Sequence, residues 1–262
     1  MSESRSPDPQ DESQQETFIS HLVELRERVV KAVAGVILVF VALVYWAPDI
    51  FNLFSRPLIE SLPSGGRMIV TDVTGSFFVP MKVTMLVAFL IALPWVLYQI
   101  WQFVAPGLYQ HEKRLIMPLV TSSYLLFLAG VAFAYFLVFP TVFHFMAHYN
   151  APLGAEMSTD IDKYLSFAMT TFLAFGITFE VPVVVIVLVR FGVVELEKLR
   201  EIRPYVIVGA FIIAAIVTPP DVLSQLLLAV PLILLYELGL VMAKVIGRPL
   251  PEAAAAGDGS AD

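Results

Sequence analysis

The sequence predicts an all-α, multi-pass membrane protein of six transmembrane helices, the last two short, with both termini on the cytoplasmic side. Three observations predict it. First, 58% of the 262 residues are hydrophobic and only 15% are charged, against roughly 45–50% and about 25% in soluble globular domains. Second, splitting the chain at its charges leaves long apolar runs: Ala32–Pro48, Val83–His111, Leu115–Ala155, Tyr164–Val189 interrupted by Glu180, Pro204–Pro220 and Val222–Tyr236. A hydrocarbon core of about 30 Å takes roughly 20 helical residues, and helices satisfy their backbone N–H and C=O groups internally there. Third, the basic residues fall mostly on one side of these runs, Arg26, Arg28, Lys31, Lys113, Arg114, Arg190, Lys198, Arg200, Arg203 and Lys244 among them, and only Arg56, Arg67, Lys82 and Lys163 on the other. Positive residues stay inside.

Taken in order, residues 1–16 read as a disordered acidic tail, 17–246 as the six-helix domain and 247–262 as a second tail. The tails carry most of the net charge of −7. A long acidic head before the first apolar run, with no small-residue cleavage pattern after it, reads as an uncleaved span. "HLVELRERVV", His21–Val30, is an amphipathic entry to that span, with Leu22, Leu25 and Val29 on one stripe and Glu24, Glu27, Arg28 and Lys31 at i, i+3 and i, i+4 spacing. Beyond the first span, Ile50, Phe51, Phe54, Leu58, Ile59 and Leu62 suit a short interfacial helix that Pro57 must bend or end. The second outer loop, about residues 141–162, closes on "STDID", a cluster of N-cap residue types. The 15 residues from Pro204 to Thr218 give a helix of roughly 22 Å, short for a bilayer, and "TPPD" makes a tight turn with Asp221 placed to cap the sixth helix.

Several functions lose their footing on residue types. With no Cys, thiolate chemistry and Cys-based metal sites are excluded. His144 and His148 stand at i, i+4 with neither a third ligand nor the Glu of a zinc-protease motif nearby, so no metal is expected. Neither a Gly-x-Ser-x-Gly elbow nor a Gly-rich phosphate loop with Lys occurs, which removes the basis for an intramembrane hydrolase or an ATPase. The chain is expected to be no enzyme, to need no cofactor and to bind no nucleic acid. Polar residues inside or beside the spans are conspicuous: Glu180, near the midplane, must face a groove, water or a partner, while Glu237 can pair with Lys244 or a basic loop. A proton-coupled secondary transporter using Glu180 is the alternative reading, although no repeat links the two halves. At the inner surface, Glu24 and Glu112 are two carboxylates among basic residues, chemistry that suits bidentate contact with guanidinium groups.

"HLVELRERVV", "APGLYQHEKRL", "FAYFLVFP", "STDIDKYLSF", "FGITFEVPV", "RPYVIVGAFI" and "TPPDVLSQLLLAVP", in this order from about Phe18 to Lys244, closely resemble the TatC family of the twin-arginine protein translocase. The resemblance implies a concave, glove-like bundle in the plasma (inner) membrane. It implies a receptor for the twin-arginine signal peptides of folded precursors, assembling with TatA and TatB type single-span proteins and further TatC copies, and driven by the proton-motive force. By the same resemblance Glu24 and Glu112 receive the two arginines. Phe103, Leu108, Tyr109, Arg26 and Arg114 complete that patch. Glu180, Thr218, Gln225 and Asp221 match polar positions where partner helices dock, and Pro57 matches a functionally sensitive outer-loop proline.

Overall fold

The computed structural model describes residues 9–60, 67–72, 74–104, 116–142, 145, 158–218 and 222–246. Helix α1 (Pro9–Leu43) starts inside the stretch read as a tail, and a single 3-10 turn, Val44–Trp46, joins it to α2 (Ala47–Glu60). The expected short helix is therefore α2, joined to the first span by that one turn. Pro48 explains the join: in the first turn of α2 its missing N–H costs nothing, and the turn closes instead through Ala47 N–H on the Val44 carbonyl. Pro57 does not end α2, which continues to Glu60.

Strand β1 (Arg67–Ile69) is followed by α3 (Gly75–Val104), then α4 (Ile116–Phe133) with a π-helical continuation over Ala134–Val138. Strand β2 (Ser158–Asp160) leads into α5 (Ile161–Phe179) and α6 (Val181–Arg190), followed by α7 (Leu196–Glu201), α8 (Arg203–Val217) and α9 (Val222–Ile246). Among the described residues five helical stretches are long and apolar enough to cross a membrane: Ile19–Ser55, Gly75–Val104, Ile116–Val142, Ile161–Arg190 and Val222–Val245. The sixth expected span, α8, is apolar but has 15 residues. One expectation is corrected. The last helix is not short: α9 runs 25 residues, straight through Glu237, since glutamate is a good helix former, and Arg203 of α8 pairs with that carboxylate at 2.7 Å.

Contacts divide the chain into two compact units, one of residues 1–56 with 74–124 and one of residues 57–73 with 125–262. In the first, α1 packs on α3. Gly35 makes room for the Trp95 ring, which a Cβ would strike, and Trp95 Nε1 donates to the Lys31 carbonyl at 2.9 Å. Buried Trp101 donates to Ser123 Oγ at 3.1 Å, tying α3 to α4 without leaving the indole N–H unsatisfied. Outward, Leu38, Val41 and Val33 of α1 are exposed, the surface expected of a helix whose solvent is lipid.

In the second unit α4 and α5 meet at glycine. A Cβ on Gly130 would lie 2.5 Å from the Phe175 carbonyl oxygen, so the two backbones approach as only Gly allows. Around that contact the Phe133 ring lies tilted at 5.5 Å from Phe175 and 5.6 Å from Phe179, and Phe139 lies 5.1 Å from Phe172. Val185, Leu199, Tyr236, Leu240 and Ala243 form a second apolar cluster, joining α6, α7 and α9. β1 pairs in parallel with β2 in this unit, Arg67 opposite Ser158 and Ile69 opposite Asp160.

Candidate functional site

The N-terminal half of α1 and the C-terminal end of α3 bring together the first group of expected residues. His21 stacks on Phe103, ring centroids 4.4 Å apart. One turn further, Arg28 Nη2 donates to Glu24 Oε1 at 3.3 Å, and the two side chains keep 24% and 35% of their exposure. The other guanidinium nitrogen, Nη1, donates to Gln99 Oε1 at 3.4 Å and to Gln102 Oε1. Gln102 Nε2 donates in turn to the Tyr98 hydroxyl at 2.5 Å. Gln99 is buried. The result is a polar chain running from a half-exposed carboxylate through a guanidinium into the side of α3. It exists because Glu24 and Arg28 stand at i, i+4 on α1 while Tyr98, Gln99 and Gln102 share one side of α3. Glu27 pairs with Lys31 at 2.6 Å on the exposed side, ordinary helix salt bridging as expected. Arg26 is exposed.

Glu112, Leu108, Tyr109 and Arg114 lie outside the described residues, between the end of α3 and the start of α4. The Glu24–Arg28 pair is one that the i, i+4 spacing allowed; the residues that sequence reasoning missed are Tyr98, Gln99 and Gln102 behind it. A signal was there: three polar side chains within five positions, "YQIWQ", in an otherwise apolar helix.

The intramembrane polar residues fall in the second unit. Glu180 sits at the joint between α5 and α6, where its N–H bonds the Ile177 carbonyl at 3.0 Å. Pro182, two residues on, has no N–H for the Thr178 carbonyl, which is why the helix breaks step at this point. Its Oε1 is shut off from solvent. Thr218 turns its hydroxyl back to the Ala214 carbonyl at 2.7 Å and so finishes α8. Gln225 Nε2 donates to the Phe211 carbonyl at 3.2 Å, stitching α9 to α8. Asp221, and the pair His144 and His148, lie outside the described residues, and Pro57 is placed within α2. Glu237 pairs with a base that the expectation did not name, Arg203 at the start of α8, and the neighbouring Tyr236 hydroxyl donates to the Leu199 carbonyl at 2.7 Å.

Before α5, "STDID" does cap a helix. Asp160 accepts from the N–H groups of Asp162 at 2.8 Å and Lys163 at 3.4 Å, and from the Thr71 hydroxyl. The Thr71 hydroxyl foremost, then those two amides, hold its carboxyl below the usual range.

Comparison with known proteins speaks to most of the chain. The family model described as Sec-independent protein translocase protein (TatC) matches residues 20–231. The TatC protein of Escherichia coli (strain K12) is 51% identical over 227 residues, 87% of this chain and 88% of that one. That of Haemophilus influenzae is 53% identical over 234 residues, 89% and 90% of the two chains. A crystal structure described as the twin arginine translocase receptor TatC superposes with a TM-score of 0.76 at 38% identity, covering 86% of this chain and 98% of that one. With helices, sequence and solved fold in agreement, the chain belongs to the TatC family, the multi-span, non-catalytic membrane subunit of the twin-arginine, Sec-independent protein translocase.

Proposed function

We propose that the inner end of α1 and α3 is where the chain receives the paired arginines of a signal peptide. The observation that carries the reading is Glu24: a carboxylate held at a helix face, still partly exposed, whose bonding partner is a guanidinium at 3.3 Å. What binds one guanidinium binds another. Glu112 supplies the second carboxylate, the His21 and Phe103 ring pair an apolar shelf beside the first, and Leu108, Tyr109, Arg26 and Arg114 the rest of the patch.

In this reading both termini are cytoplasmic and the membrane is the plasma (inner) membrane, so the carboxylates face arriving precursors. TatA and TatB type single-span helices dock along Glu180, Thr218, Gln225 and Asp221, further TatC copies join the complex, and the proton-motive force drives transport. The 15-residue α8 meets a locally thinned bilayer, since it covers only about 22 Å.

Photo-crosslinking tests the receptor role. A signal peptide carrying Arg-Arg, and the same peptide with Lys-Lys, are presented to membranes holding wild type, Glu24→Gln or Glu112→Gln. Each substitution removes a charge-assisted bond of about 1.5–3 kcal/mol, and the partial exposure of Glu24 puts it at the low end, roughly a tenfold loss of affinity. Equal labelling in every combination would sink the assignment.

A further inference from the structure

We propose that Arg28 is the resident counter-ion of this site: an internal guanidinium that occupies Glu24 until an arginine of the signal peptide takes its place. The inference rests on the reading of Glu24 as an arginine receiver. It begins with a division of labour on one side chain. Nη2 of Arg28 touches Glu24, while Nη1 is engaged by Gln99 and Gln102 of α3. Exchange at Glu24 therefore breaks a single bond and leaves Arg28 held. The glutamines give it reason to stay, because Gln99 is 2% exposed and its amide oxygen would lose a charge-assisted partner in a place water reaches poorly.

Glu24 is the movable half of the pair. Its side chain is the more exposed of the two, at 35%, and a Glu side chain reorients about three torsions without disturbing α1. An arriving guanidinium thus meets a carboxylate already oriented for its own chemistry and displaces a partner that does not have to leave. Since every ligand must make the same displacement, Arg28 lowers the affinity for all cationic peptides alike. The preference for arginine over lysine comes from bidentate geometry, and Arg28 leaves it untouched. A receptor that passes its cargo on gains faster release from this arrangement.

The test measures binding of fluorescent Arg-Arg and Lys-Lys signal peptides to the full chain in lipid nanodiscs. Lys31→Gln removes the same charge from the same helix but leaves the Glu24 pair intact, so it reports the general electrostatic effect. Arg28→Gln is expected to tighten both peptides about two- to fivefold beyond Lys31→Gln, the range of a partly solvated ion pair. Arg28→Lys, which can still pair with Glu24, stays near wild type. With Glu24→Gln in place, Arg28→Gln adds nothing beyond Lys31→Gln. Binding by Arg28→Gln no tighter than by Lys31→Gln, or equal tightening by Arg28→Lys, overturns the inference while the receptor reading stands. Unchanged binding by Glu24→Gln overturns both.

Discussion

Gly130 shows how much a single methyl group can weigh where two helices touch backbone to backbone. Alanine there would push a Cβ to 2.5 Å from the Phe175 carbonyl oxygen, and neither backbone can yield without moving its helix. Gly130→Ala is expected to destabilise the fold by about 1–3 kcal/mol, read as a lower midpoint of thermal unfolding in detergent. Gly209, with nothing within 4 Å of its would-be Cβ, is the contrast. Gly209→Ala should raise the midpoint slightly, since alanine is favoured over glycine in a helix by about 0.5–1 kcal/mol. An equal response from both would mean that packing at Gly130 is looser than described. The sequence marks both as glycines in apolar helices and cannot tell them apart, because the difference lies in a neighbour, Phe175, 45 positions along the chain. The second hold on Arg28, by Gln99 and Gln102, was hidden for a similar reason. At i, i+4 from Glu24 that arginine looks like any surface pair, and the glutamines that hold it come from another helix.

Elements were legible where local chemistry decides them. "STDID" was readable as a cap, and α8 as short, because an N-cap and a proline-bounded run need no tertiary information. The length of α9 was not, since a charge in a sequence looks like a boundary until its counter-charge, Arg203, is placed beside it. Strands β1 and β2, three residues each, carry no periodic pattern at all. Their junction has a pH dependence whose sign is fixed. The carboxyl of Asp160 titrates below its ordinary value of 3.8, chiefly through the Thr71 hydroxyl. Ionised Asp160 therefore stabilises the strand pair and the first turn of α5, fully so above that ordinary value, and the contribution is lost as pH falls through the depressed one. Amide hydrogen exchange at Asp162 and Lys163 should quicken relative to Asp160→Asn over that acid window. A wild type and Asp160→Asn that respond to acid in parallel would remove Asp160 from the account.

For the whole molecule the absence of Cys is an experimental gift, because any cysteine introduced is the only one. Val70, after β1, and Val193, between α6 and α7, are both exposed. With the termini inside, a membrane-impermeant maleimide added to intact spheroplasts should label Val70→Cys at once and Val193→Cys only after permeabilisation. The reverse pattern would invert the topology and put Glu24 out of reach of cytoplasmic precursors. The span pattern and the family resemblance were legible because hydropathy and long motifs are properties of the chain alone. The division into two units was not, as it recruits residues 57–73 to a body made otherwise of residues 125–262.

That recruitment sets a schedule for biosynthesis. Thr71 and Asp160, whose side chains meet, are 89 residues apart in the chain. At about 5–20 residues per second, the ribosome delivers the second partner on the order of 5–20 s after the first. Throughout that interval β1 lacks its partner strand and presents an unpaired edge, open to whatever else is passing. The strand pairing is thus the late event of the second unit's assembly. A substitution in either strand would be felt first as slow or failed maturation of the newly made chain, before any loss in the finished receptor.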